Sequence, residues 1–446
     1  MASPERIIAI HSFPRQHTDQ VSLLAPPLSL VFDSYSSIEV LRPVVSFRNA
    51  SFGVSRFKSR IRVSPLMHVV FDGQMALLEN SLSRYTRNLV QNLAHHSELR
   101  LTLLVFSPRS PEQVRLSSAW IPERVEIRTL QGPETPYLAS ARESWLRTNY
   151  YVPKALRELK AQIYHTHYRN FGIPIGYRVV TTLHDVFQWV PALQRPGRLA
   201  WLRLFLDRVT YRCASALVCV SESTRTDFLR YVDSKHSRVF AVHSGVDPIF
   251  SPQREEQDDD VLSGHQLKSK RFLLYVGDLQ PRKDVLTAVR AFRRALGELP
   301  ADVDFVIVGG DWGKQVEREY TVRHGLEHRV RFLGRVEDHA LPTLYRHARA
   351  FVFPSLYEGF GFPPLEAMAS GTPVITTNIS ALPEVVGHAG LLFEPGDVDG
   401  LKSLIVKAVY DEPHMALLAQ EGVVRSQAFR WETTARRILE IYHKIA

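Results

Sequence analysis

From residue 67 onward, short apolar runs alternate with longer stretches in which apolar residues recur at helical spacing. That alternation predicts parallel strands with helices crossing their faces, because a strand covered on both sides is apolar throughout while a surface helix is apolar along one stripe. In the first half the strand candidates are HVVFD from His68, LTLLVF from Leu101, QIYHT from Gln162, RVVTTLH from Arg178, ALVCVS from Ala216 and RVFAVHS from Arg238, with helices over 84–94 and 199–212. The second half repeats the scheme with FLLYVG from Phe272, DFVIVGG from Asp304, RVRFLG from Arg329, AFVFPS from Ala350, PVITT from Pro373 and GLLFE from Gly390. Residues 251–270 are polar, lack any period and read as an exposed linker. The fold class expected is α/β, with two doubly wound domains at 67–250 and 271–446. Ala435, Ile438, Leu439, Ile441 and Tyr442 share one helical face, so a terminal helix is expected to pack on the domain body. A ligand is expected in the cleft between the domains, at the carboxyl ends of the strands.

Residues 1–66 break this pattern, being rich in Ser and Pro and carrying eight basic residues against four acidic ones, so that they supply +4 of the chain's net +9. They read as a spurious upstream extension with Met67 as the start, as a targeting segment, or as an ordered cap. The first fits best, since the charged n-region and continuous apolar h-region of a secretory signal are missing. A chain cut to 67–446 is then expected to stay soluble and active. The composition, 45% hydrophobic and 23% charged, excludes collagen-like, disordered and disulfide-scaffold classes. With only Cys213 and Cys219, no disulfide framework or multi-cysteine zinc site is available, which fits a reducing cytoplasmic setting. No apolar stretch is long enough to span a bilayer.

The densest chemistry lies in FPSLYEGFGFPPLEAMASGTPV, 353–374. A buried strand runs into a loop holding Glu358, Gly359, Phe360 and Gly361, and Pro363–Pro364 suit the first turn of a helix. Glycines let backbone approach a ligand, and helix N-terminal amides favour an anion. A carboxylate would repel phosphate, so Glu358 and Glu366 read as acceptors for sugar hydroxyls; taken singly, each also reads as a turn or helix-dipole residue. Arg282 and Lys283 follow a strand and form either an ordinary basic pair or a clamp for a leaving diphosphate. His184 and Asp185 end an apolar run and so face the cleft, while His165 and His167 share a strand face and read as a polar strand end rather than a metal site. The acidic spots at Asp258–Asp260, Asp302/Asp304 and Asp397/Asp399 read as structural, with no metal expected.

These segments, in this order, resemble the retaining glycosyltransferases of family 4 (glycosyl transferases group 1, mannosyltransferase-like). The match includes FLLYVGDLQPRKDVLTAVRAF, RVRFLGRVEDHALPTLYRHARAFVFPS, TNISALPEVVGHAGLLFEPGD, VCVSESTRTDF and VHSGVDPIF, and covers roughly 67–446. The resemblance implies two Rossmann-like domains facing a central cleft (GT-B), an acceptor domain first and a nucleotide-sugar domain second. It assigns donor binding to Gly277, Arg282, Lys283, Glu358, Gly359, Phe360, Gly361, Leu365 and Glu366, and catalysis to His184, Glu358, Arg282 and Lys283. It implies no cofactor and no metal. The partners implied are a nucleoside diphosphate sugar, with mannose mildly preferred, and a glycan or lipid-linked glycan, and no nucleic acid. Three departures stand out: Glu79–Ser83 lacks the usual glycines before Tyr85–Thr86, Ser244 replaces an Asn, and Asp284 replaces another. Alternatives on the same architecture are a sugar-nucleotide epimerase or hydrolase, and a catalytically silent sugar-nucleotide-binding protein. The Arg-rich, aromatic segment 194–212 reads as a packed helix with a solvated basic face, or as a contact with an acidic membrane surface.

Overall fold

The computed structural model describes residues 66–77, 81–132, 145–167, 174–193, 200–311 and 315–446. The expectations placed on residues 1–65, on Glu79–Asn80 and on 194–199 lie outside them. In the first domain the strands are β1 (Met67–Asp72), β2 (Leu99–Phe106), β3 (Glu126–Leu130), β4 (Ile163–Thr166), β5 (Arg178–Leu183), β6 (Ala216–Cys219) and β7 (Val239–Ala241). In the second they are β8 (Arg271–Val276), β9 (Val303–Val308), β10 (Val330–Gly334), β11 (Ala350–Phe353), β12 (Val374–Thr377) and β13 (Gly390–Phe393). The first sheet is ordered β3-β2-β1-β4-β5-β6-β7 and the second β10-β9-β8-β11-β12-β13, with all pairings parallel. Each therefore reverses direction once, between β1 and β4 and between β8 and β11. At such a switch point neighbouring connections leave toward opposite faces and open a crevice beyond the strand ends.

Burial explains why the strands read as continuous apolar runs. β9 and β11 are buried at every position, and Tyr275, Phe353 and Phe351 stack across β8 and β11 with ring centroids 5.8 and 5.7 Å apart. The helix Val285–Ala295 turns Val285, Ala288, Val289, Phe292 and Ala295 into this core, the stripe expected of a helix lying on a sheet. β3 is the strand that the apolar pattern misses. It is an edge strand, Glu-Ile-Arg-Thr-Leu, with no residue fully buried and with Glu126 bonded to Arg100 of β2.

Two further segments differ from expectation. The polar stretch 251–270 contains a helix, Asp258–Gly264, rather than open linker throughout. Its anchor is Asp258, 3% exposed, which accepts from Arg346 Nη2 at 2.7 Å, Thr343 Oγ1 at 2.7 Å and His347 Nε2 at 3.1 Å. Burial pushes the Asp258 carboxyl up, but the Arg346, Thr343 and His347 bonds outweigh it and hold the group well below the carboxylate range. Asp258→Ala strands a buried guanidinium, and we expect a loss of about 3–5 kcal/mol in urea unfolding. Because the folded pKa is depressed, this contribution is present above the ordinary carboxyl pKa and is lost as pH falls through the folded value.

The helix Ala200–Cys213 carries exposed Trp201 (68%) and Phe205 (58%) one turn apart, with Leu206 and Val209 also exposed. A basic solvated face is therefore an incomplete description of it. The terminal helix Trp431–Ile445 packs on the first domain rather than the second: it lies against the helix Ser81–Leu93, Tyr442 Oη sits 2.5 Å from His165 Nδ1, and Thr434 Oγ1 donates to the His243 carbonyl at 2.7 Å. Gly245 leaves room for it, since a Cβ there would stand 2.4 Å from the Trp431 nitrogen.

Candidate active site

The crevice at the β8/β11 switch point opens into a cavity of about 820 Å³ whose lining comes from both domains. Of the residues singled out in the sequence, Gly277, Arg282, Lys283, Glu358, Gly359, Phe360, Gly361 and Glu366 line it from the second domain and His184 from the first. Leu365 does not; its side chain is fully buried in the core beneath the loop. At the floor, Gly277 adopts φ +151°, and Gly309 comes so close that a Cβ on it would lie 2.0 Å from the Gly277 carbonyl oxygen. Only paired glycines permit that approach of β8 and β9 at their carboxyl ends.

Arg282 and Lys283 end a short 3-10 turn, Pro281–Lys283, and the next residue, Asp284, takes the left-handed conformation at φ 46°. Asn and Asp both tolerate that region, which accounts physically for Asp284 standing where an Asn is usual. Lys283 is 8% exposed, with Nζ 2.5 Å from Glu358 Oε1 and 4.9 Å from the Phe353 ring centroid. Arg282 Nη1 donates to the Tyr357 carbonyl at 3.0 Å and reaches Glu358 Oε1 at 3.3 Å, and its guanidinium lies over Phe187 of the first domain. Ser355 Oγ adds a bond of 2.6 Å to the same oxygen. Burial alone would raise the Glu358 carboxyl, yet Lys283, Arg282 and Ser355 together hold it below its ordinary value. Burial pulls Lys283 down while Glu358 pushes back. With an ammonium, a guanidinium and a hydroxyl all directed at one oxygen, the geometry is that of an ionised pair. The sequence places Glu358 near a sugar and the cations near a diphosphate; the structure brings all three into contact, with the cation charge partly balanced.

Glu366 is 4% exposed, and its partners were not legible in the sequence. Tyr345 Oη donates to Oε2 at 3.1 Å, and Arg84 of the first domain approaches Oε1 at 3.3 Å. Burial raises its carboxyl, and Arg84 and Tyr345 pull it part of the way back. Arg84 opens the Arg-Tyr-Thr stretch, so its place one residue ahead of a buried tyrosine was the available signal.

Several contacts bind the two domains at the site. The Gly359 carbonyl accepts from Ser221 Oγ at 2.6 Å and Thr224 Oγ1 at 2.9 Å. Glu384 accepts from the amides of Glu222 and Ser223 at 2.8 and 3.0 Å, capping a first-domain helix, and also bonds His243. His184 sits at the rim with its ring edge-on to Tyr85, 4.7 Å between centroids. Burial pulls the His184 and His165 rings down to about 3, so both are neutral at physiological pH. Among the described residues no group of three or more His, Cys, Asp or Glu side chains is placed to hold a metal ion. Asp304 instead lies buried near Lys270 and Arg329, and Asp397 caps a helix through the Gly400 amide.

Comparison with known proteins adds to this geometry. Residues 82–250 match the family described as Glycosyltransferase Family 4, and residues 258–423 match Glycosyl transferases group 1. O-antigen chain mannosyltransferase B of Escherichia coli is 32% identical over 291 residues, which is 65% of this chain and 76% of that protein. The serotype-specific mannosyltransferase WbdA of Escherichia coli is 27% identical over 61% of this chain, but the matched part spans only 34% of that protein. Among solved structures, sucrose-phosphate synthase from Thermosynechococcus elongatus superposes with TM-score 0.67 at 22% identity, covering 85% of this chain and 99% of that one. Anabaena HepE in complex with UDP-glucose gives 0.64 at 19% identity, covering 85% and 100%. At those identities the structures speak for the fold, two Rossmann-like domains in the GT-B arrangement, and the sequence matches speak for descent. On the sequence matches the chain belongs to the family 4 glycosyltransferases.

Proposed function

We propose that this glycosyltransferase moves a hexose, with mannose preferred, from a nucleoside diphosphate donor to a hydroxyl of a glycan or lipid-linked glycan, with retention at the anomeric carbon. The observation that carries this reading is the pair of half-buried Arg282 and buried Lys283, which lines with His184 a cavity shared by both domains. Departure of a nucleoside diphosphate develops negative charge, which two fixed cations stabilise without a metal ion, and each charge-assisted bond contributes about 1.5–3 kcal/mol. Glu358, once its cations engage the diphosphate, is free to accept from a sugar hydroxyl. Glu366 takes the ribose, and the Gly359–Gly361 backbone lies against the sugar. Attack comes from the face of the departing phosphate, whose oxygen takes the acceptor proton, so no separate base is needed. The preference for mannose is supported by the two mannosyltransferase relatives. Incubation with a panel of nucleotide sugars, with and without acceptor, tests the class: acceptor-dependent consumption supports transfer, whereas epimerisation, acceptor-independent hydrolysis or inertness supports the alternatives.

Two outcomes follow from particular residues. Glu366→Ala removes the ribose acceptor, and we expect donor affinity, measured by calorimetry, to weaken roughly tenfold to a hundredfold, as for loss of one charged hydrogen-bonding group. Unchanged affinity contradicts the ribose role. The enzyme also works, in this proposal, in the cytoplasm at a membrane's inner face. No helix among the described residues is long and apolar enough to cross a bilayer. Trp201, Phe205 and Val209 nevertheless present an exposed apolar row at helical spacing, with exposed Arg212 one turn beyond Val209 on the same side. Sedimentation with anionic vesicles at low salt is expected to carry the protein down, and Trp201→Ala with Phe205→Ala to abolish this; absence of binding removes the membrane contact.

A further inference from the structure

Behind His184 runs a hydrogen-bond chain that the proposed transfer does not use. His184 Nε2 lies 3.0 Å from His167 Nδ1, and His167 Nε2 lies 3.0 Å from Thr86 Oγ1. Thr86 Oγ1 in turn lies 2.9 Å from the Leu82 carbonyl oxygen, one turn back in the helix Ser81–Leu93. The bond to the Leu82 carbonyl gives the chain a preferred sense. A carbonyl oxygen only accepts, so when the single Thr86 hydroxyl proton goes to Leu82, Thr86 Oγ1 is left to accept from His167 Nε2–H. A neutral imidazole has one N–H, so His167 Nδ1 is a lone pair that receives His184 Nε2–H. His184 Nδ1 is then left as an acceptor on a residue that lines the cavity. Neutrality of both rings fits their surroundings. Burial is the dominant influence on each, Phe71 and Tyr85 pack against His167, and no carboxylate among the described residues acts on either ring.

We infer that His167 and Thr86 are positioning residues that lock His184 into its Nε2–H tautomer, so that His184 Nδ1 accepts a hydrogen bond from a sugar hydroxyl and has nothing to offer a phosphate oxygen. The inference deepens the transfer reading and rests on it only for the identity of the hydroxyl. Discrimination follows from the chemistry: a site that only accepts selects groups able to donate. It also explains how a histidine next to a diphosphate avoids competing with Arg282 and Lys283 for the anion.

The test begins without substrate. In the full chain labelled with ¹⁵N-histidine, long-range ¹H–¹⁵N correlation at neutral pH is expected to show both His184 and His167 as the Nε2–H form, the signals being assigned by their loss in His184→Gln and His167→Asn. A His184 ring protonated on Nδ1, or doubly protonated, overturns the assignment whether or not the enzyme transfers sugar. Thr86→Val keeps the side-chain shape, removes the hydroxyl, and is expected to let the Nδ1–H tautomer appear at both rings. With the donor identified, Thr86→Val and His167→Leu are expected to lower kcat about tenfold, the scale of one misdirected neutral hydrogen bond. His167→Asn, whose amide oxygen replaces the Nδ1 lone pair, is expected to recover most of the loss. A kcat within about twofold of wild type in both Thr86→Val and His167→Leu, with Tm unchanged, overturns the positioning role.

Discussion

Lys283→Ala is expected to lower transfer about 10²- to 10³-fold, the range observed when one preorganised donor to a developing anion is removed. Lys283 is the more deeply buried of the two cations on Glu358 Oε1, held between that carboxylate and the Phe353 ring, while Arg282 reaches the same oxygen at 3.3 Å. The fold should survive, because Glu358 keeps Arg282 and Ser355 as partners and no buried charge is stranded. The loss should appear in kcat more than in donor affinity, since charge on the diphosphate grows as the glycosidic bond breaks. Lys283→Met, which fills the space without the charge, should behave like the alanine variant. If either retains turnover within about threefold of wild type, the leaving-group role fails.

The second large effect is expected from Gly359→Ala. A Cβ at this position would stand 1.6 Å from the His184 carbonyl oxygen and 3.0 Å from Asp185 Cα, both backbone atoms of the other domain. Backbone cannot swing aside as a side chain does, so the loops must separate. The bonds from Ser221 and Thr224 to the Gly359 carbonyl then lengthen or break. Misplacement of facing groups by about 1 Å costs on the order of a hundredfold in rate. Overpacking of this kind typically costs a further 1–3 kcal/mol of stability. Donor binding to the second domain should persist while transfer collapses, and calorimetry together with a turnover assay separates the two. Wild-type turnover and Tm in this variant contradict the domain packing described above.

The apolar pattern made the sheets legible because parallel strands are buried on both faces, and β9 or β11 allow no other reading. β3 escaped because an edge strand, solvated and mixed in polarity, has no such signature. Asp258 shows a different limit. An acidic run in a polar stretch reads as linker, and only the fold reveals that Arg346 and His347, nearly ninety residues away in sequence, turn it into a buried anchor. The cavity was legible in outline through its glycines and its Arg-Lys pair, since chain geometry forces those residue types to lie together in sequence. Arg84 on Glu366 and Lys283 on Glu358 were not, being contacts between loops or domains that no local spacing encodes. Leu365, which the resemblance assigns to the donor, does not line the cavity, because helix geometry turns its side chain into the core.

Retaining transfer from a nucleoside diphosphate hexose at the Lys283–His184 cavity leaves a stereochemical record in the product. The most direct test is time-resolved proton NMR of the full-length enzyme with the donor that the nucleotide-sugar panel selects and a hydroxyl-bearing glycan acceptor, run beside Lys283→Ala. Nucleoside diphosphate and a new glycoside are expected to appear together, with the donor's anomeric configuration preserved and with the signal suppressed at least about a hundredfold in the variant. A product of inverted configuration, or equal turnover by Lys283→Ala, would contradict retaining transfer at this cavity.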